Sequence, residues 1–154
     1  MRLKNKISVV IGLCCLLPMT SCLDKGPGQN YEIYPGDGLT APEDGAQFNL
    51  SSVKNVVFEW TASEAADGGY VSYEVLFDEE DGDFSEPVAE MASGQNGGNT
   101  KLTINAQSLN EIATSAGIPP ASEGTLKWTV RASKGLFGSI YAQVNTIQIT
   151  TLAE

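Results

Sequence analysis

The residues able to do chemistry are mostly carboxylates, 19 Asp and Glu against 9 Lys and Arg, and there is no His. Without an imidazole the chain cannot build a Ser-His-Asp triad, a Cys-His dyad or an imidazole-ligated zinc site, which removes the commonest routes to hydrolysis. The densest cluster is at 78–83, where Asp78, Glu80, Asp81 and Asp83 are the candidate oxygen donors for a calcium ion. Its register departs from an EF-hand: with Gly82 as the sixth position, Phe77 falls on the first ligand position and Glu79 on the third. The alternative reading is a solvated hairpin tip that binds nothing. A glycosidase would need two carboxyls held about 5 to 10 Å apart across a cleft. No cleft is marked, and Glu59 and Glu74 sit on polar strand faces where Lys127 and Arg131 could pair with them. The expectation is a protein that is not an enzyme and uses no cofactor.

Aromatic side chains offer a second chemistry, stacking on sugar rings. Trp60 and Trp128 each alternate with apolar neighbours, which assigns them to a core. Tyr31, Tyr34, Tyr70 and Tyr141 remain as exposed candidates, with Tyr70 and Tyr141 the candidate ligand contacts.

The three cysteines, Cys14, Cys15 and Cys22, all lie within the first 22 residues, so none can staple or arm the body of the chain. Arg2, Lys4 and Lys6 precede an apolar run at 7–17. That run is too short to cross a bilayer, which takes about 20 residues, and has the layout of a secretory signal. The following Leu17-Pro18-Met19-Thr20-Ser21-Cys22 resembles the lipobox of bacterial lipoproteins. The resemblance implies a signal peptide over 1–21, cleavage before Cys22, and acylation of Cys22 to give a stable lipid anchor, each buried CH₂ adding about 0.8 kcal/mol. Cleavage would remove three of the nine basic groups and none of the acids, leaving a net charge of −13. Such a surface repels nucleic acid and anionic headgroups.

These groups need positioning elements. Residues 23–38 are rich in Gly and Pro, so 22–38 reads as lipidated Cys plus flexible linker, its 16 residues spanning roughly 50 Å if extended. A single domain is expected over 39–154. Period-two alternation marks three strands: Val56, Phe58 and Trp60 share one face, as do Val71, Tyr73, Val75 and Phe77, and Leu126, Trp128, Val130 and Ala132. Further strands are expected at 47–50, 87–91, 101–104 and 144–151, the last with its inward face undecided. Four Asp-Gly pairs supply turns. Ser108 and Glu111 have capping-box spacing, and Leu109, Ile112, Ala113 and Ala116 form an apolar helical face before Gly117 and Pro119-Pro120. The pattern is all-β: a two-sheet sandwich of immunoglobulin or fibronectin-III type, with one short crossover helix at about 108–116 plugging one end.

The segments LTAPEDGAQFNLSS, VVFEWTAS, VSYEVLFDEEDGDFSEPV, LTINAQSLNEIATSAGI, GTLKWTVRASKG and QITT, in that order, resemble the amino-terminal immunoglobulin-like domain of the SusE/SusF lipoproteins. The resemblance implies a lipid-anchored outer-membrane protein facing the cell surface, in a system that captures and uses starch-like polysaccharide. Its implied partners are membrane lipid, a transporter and glycan-binding proteins. Sugar contacts in that family are expected mainly from domains that follow this one, so no ligand residue carries over. Three expectations stand side by side: a spacer or docking element, a module acting through another polypeptide, and part of a longer reading frame. The competing functions are a small glycan-binding protein and, more remotely, a carboxylate-based hydrolase.

Overall fold

The computed structural model describes residues 30–141 and 143–153, and for 137–141 the backbone alone. Cys22 and the expected signal peptide lie outside the described residues. The elements run β1 (Ile33–Tyr34), β2 (Leu39–Ala41), β3 (Ala46–Asn49), β4 (Asn55–Trp60), β5 (Glu64–Ala65), β6 (Ser72–Glu79), β7 (Ala89–Ala92), a short turn α1 (Gly94–Gly97), β8 (Lys101–Asn105), helix α2 (Ala106–Ser115), β9 (Glu123–Lys134), β10 (Phe137–Tyr141) and β11 (Asn145–Thr150).

Two main sheets face each other, as the alternation requires. The larger has the order β3-β11-β9-β6-β7, the smaller β2-β4-β8. β3 runs parallel to β11, and the other pairings are antiparallel. β9 is long enough to pair β11 with its first half and β10 with its second. The expected inward residues are inward: Val56, Phe58 and Trp60 from the smaller sheet meet Tyr73, Val75, Phe77, Leu126, Trp128 and Val130 from the larger. Phe58 meets both Phe77 and Trp128 in T-shaped contacts, with centroids 5.2 and 4.9 Å away. Edge-to-face pairs of this kind add about 0.5–1.5 kcal/mol to the area they bury. The sandwich fold is the one expected, and the facing direction of the last strand is now fixed by Ile147 and Ile149 in the core with Val144 half exposed.

Helix α2 begins two residues before its expected start, because Asn105, the last residue of β8, supplies the cap. Its side-chain oxygen accepts from the Ser108 amide at 2.9 Å. The C-terminus is as anticipated: Gly117 takes φ 84°, its amide bonds the Thr114 carbonyl, and Ile118 reaches back to Ala113, a Schellman closure. Leu109, Ile112 and Ala113 are buried beneath it.

Two departures matter. Ile33 lies in the segment expected to be linker, yet it is only 7% exposed within the core. β1 pairs with β5, matching Ile33 to Ala65 and Tyr34 to Glu64, so 30–38 belong to the domain's packing. On β6, Leu76 and Asp78 occupy the outward face but are buried. The loop after β6 folds back over that face and brings Phe84 onto it.

Candidate functional site

The sandwich has two poles, separated by the 12 residues of β9, about 40 Å of strand. The amino-terminal segment is fastened at one. The Lys134 ammonium donates to the Asn30 carbonyl, pairs with Asp67 Oδ1 at 2.5 Å, and lies 5.5 Å from the centre of the Tyr31 ring. The hydrogen bond from Lys134, with help from the Gly69 amide, holds the Asp67 carboxyl below the usual carboxylate range. β11 leaves at the opposite pole, where Thr151 bonds Ser122 and Pro119 and Asn110 of α2 accepts from the Leu152 amide. Entry and exit of the chain are therefore held at opposite ends.

Beside the entry lies a shallow groove of about 420 Å³, lined by Ala62, Gly69, Tyr70, Gly98 and Thr100 among others. Tyr70 is 65% exposed. Its hydroxyl rests on Gly98, where a Cβ would come within 2.6 Å of it, so the ring keeps its position only if that residue is Gly. Gln95 and Asn96 of α1 hold left-handed backbone angles next to it. The other described ring of the groove, Tyr73, spends its hydroxyl on the Ser63 backbone. Tyr141 pairs through its backbone with Arg131, and its side chain lies outside the description.

The acidic cluster does not assemble. Asp78 is 4% exposed and accepts from the amides of Phe84 at 2.8 Å and Glu79 at 3.0 Å. Lys127, opposite it on β9, donates to the Gly82 carbonyl at 2.6 Å. Glu80 and Asp81 point to solvent, and Asp83 accepts from Ser85, whose hydrogen bonds lower its pKa. Among the described residues no three acidic, Cys or His side chains are placed to hold a metal ion. Asp78, one of the four candidate donors, instead pins the loop to the sheet, while Glu80, Asp81 and Asp83 stay exposed as the solvated-tip reading has them.

Glu59, Glu74 and Glu90 on the strand faces are also engaged. Arg131 bridges Glu74 at 2.7 Å and Glu90 at 2.5 Å, as its facing position implied for Glu74. Glu59 pairs with Lys101 at 2.9 Å and not with Lys127, because β4 and β9 belong to different sheets while Lys101 is the direct cross-strand neighbour on β8. Both indoles are core, Trp128 wholly and Trp60 at 5% exposure.

The family model for the SusE outer membrane protein matches residues 35–131, from just after β1 to well along β9. The chain belongs to the SusE family. Curated proteins yield no match. Membership assigns the chain an outer-membrane role in polysaccharide utilisation, in agreement with the resemblance read from the sequence. The matched span of the SusE domain holds the Tyr70 groove and the β6 loop but stops short of Lys134 and the β9–β10 turn. Sequence reasoning passed over both of those. The available signal was Lys134-Gly135-Leu136 directly after a period-two run, with a large aliphatic residue where a turn usually carries a polar one.

Proposed function

We propose that this SusE-family domain is a lipid-anchored, non-catalytic spacer or docking module of an outer-membrane polysaccharide-capture system. The observation that carries the reading is the opposite placement of entry and exit. A chain held at the membrane through Cys22 would enter at the Lys134 pole and present the other pole, with α2 and the β6 loop, about 40 Å away. Family membership supports the location, and the engagement of Glu59, Glu74 and Glu90 in ion pairs supports the absence of catalysis. Fractionation of cells carrying Cys22→Ala is the test. Release of the protein into a soluble fraction is expected, and unchanged membrane retention would remove the anchor.

The Tyr70 groove favours a second reading, in which the domain itself contacts polysaccharide through that exposed ring. Affinity electrophoresis against a panel of polysaccharides separates the two. Retardation that disappears in Tyr70→Ala establishes the second reading, and flat migration leaves the spacer.

A further inference from the structure

We propose that the Lys134 pole seats directly on a neutral lipid surface, with Leu136, Tyr34 and Tyr70 entering the headgroup region. The inference rests on the anchored reading above. Of the four large apolar side chains exposed among the described residues, Leu136 at 96% follows Lys134 in the β9–β10 turn, Tyr70 at 65% follows Gly69, which abuts the Lys134 side chain, and Tyr34 at 51% is on β1, paired with Glu64 of β5. Leu136 is the most telling of them. Lys134 and Phe137 pair across a two-residue hairpin loop, and Gly135, at φ 58°, supplies the left-handed backbone that the loop requires. Turn geometry asks nothing of the next position, and at 96% exposure the Leu136 side chain contributes almost nothing to the packing of the fold.

Chain length fixes what lies opposite. The amino-terminal segment is fastened at Asn30, eight residue steps from Cys22, and eight extended steps reach about 28 Å at most. With Cys22 in the bilayer, the pole is held within about 28 Å of it, little more than half the reach of the full Gly/Pro segment. Tyrosines with an apolar ring and a polar tip suit the boundary between headgroup and acyl chain. Glu32, Asp37 and Glu64 are exposed at the same end, and Lys134 is committed to Asn30 and Asp67, so the surface it fits is zwitterionic and not anionic.

The test supplies the anchor independently of acylation. The chain from residue 22, with Cys22→Ser and an amino-terminal hexahistidine, is held on phosphatidylcholine vesicles containing a nickel-chelating lipid. A single environment-sensitive fluorophore is placed at Ala66→Cys beside the pole or at Ser52→Cys at the far end. Brominated phosphatidylcholine should quench the label at 66 several-fold more than the label at 52. The difference should vanish in a Tyr34→Ser, Tyr70→Ser, Leu136→Ser variant whose thermal unfolding is unchanged, and should shrink when anionic phosphatidylglycerol is included. Equal quenching at both sites, or quenching indifferent to the triple substitution, overturns the proposal. So does protection of residue 66 in native membranes alone, which would assign the pole to a protein partner. Failure of Cys22→Ala to release the protein bears only on the anchor and leaves this readout intact.

Discussion

Phe58 on β4 meets Trp128 on β9 in a T-shaped contact, ring centroids 4.9 Å apart and planes at 78°, so that one side chain from each sheet closes the middle of the core. Neither has any exposed surface. Truncating Trp128 to Ala should cost about 3–5 kcal/mol of stability, and Trp60→Ala a similar amount. Neither indole nitrogen has a hydrogen-bond partner within the described residues. Trp128→Phe should therefore lose only packing and fall well short of the Ala variant. Urea midpoints for the three variants check this, and an Ala loss near zero would place the indoles outside the core.

The cap of α2 separates two readings of its start. Asn105 carries the bond to the Ser108 amide, so Asn105→Ala should cost about 1 kcal/mol, the usual worth of an N-cap. Ser108→Ala, inside the first turn, should be close to neutral. The reverse order in equilibrium unfolding would restore Ser108 as the cap.

What the sequence discloses here depends on how many residues an element gives the eye. β4, β6 and β9 run 6, 8 and 12 residues, long enough for period two to emerge and to put Phe58, Phe77 and Trp128 on one side. β1 and β5 have two residues each, and Ile33 finds Ala65 only through a pairing that no local pattern announces. Asn105 was hidden for another reason: it ends a strand and caps a helix at once. The burial of Leu76 and Asp78 depends on a loop returning over the sheet, which alternation alone represents as solvent. Tyr70 was legible as an exposed ring, but its groove is completed by Gly98, 28 residues on, and Thr100.

Asp78 makes a sharper prediction about the acidic loop. Removing its carboxylate strands the Phe84 amide in a buried position, and an unsatisfied buried donor costs about 1–3 kcal/mol. Asp78→Ala should lower stability by that amount. Gly82→Ala should also destabilise, by displacing the same carboxyl, since a Cβ there would lie 2.2 Å from it. Thermal unfolding of the parent domain should be the same in millimolar calcium and in chelator. A calcium-dependent rise in Tm that Asp78→Ala abolishes would return the cluster to the ion.

The clasp at the entry pole should open with acid. Asp67 is held below its ordinary pKa chiefly by the hydrogen bond from Lys134, so the folded state binds its proton less readily than the unfolded chain does. Its contribution is in full force above the ordinary carboxylate value, near 3.9, and is lost as the pH falls through the lower folded value. Hydrogen exchange at Ile33 and Ala65, the backbone pair beside the clasp, should quicken across that window before the β6–β9 core responds. Asp67→Asn should exchange faster at neutral pH and lose part of the acid dependence. Asp44, lowered by its bonds to the Thr146 amide and hydroxyl, provides the control, because Asp44→Asn loosens the turn before β3 and leaves β1 untouched. Acid-induced exchange at Ile33 that persists undiminished in Asp67→Asn would separate the clasp from this carboxylate.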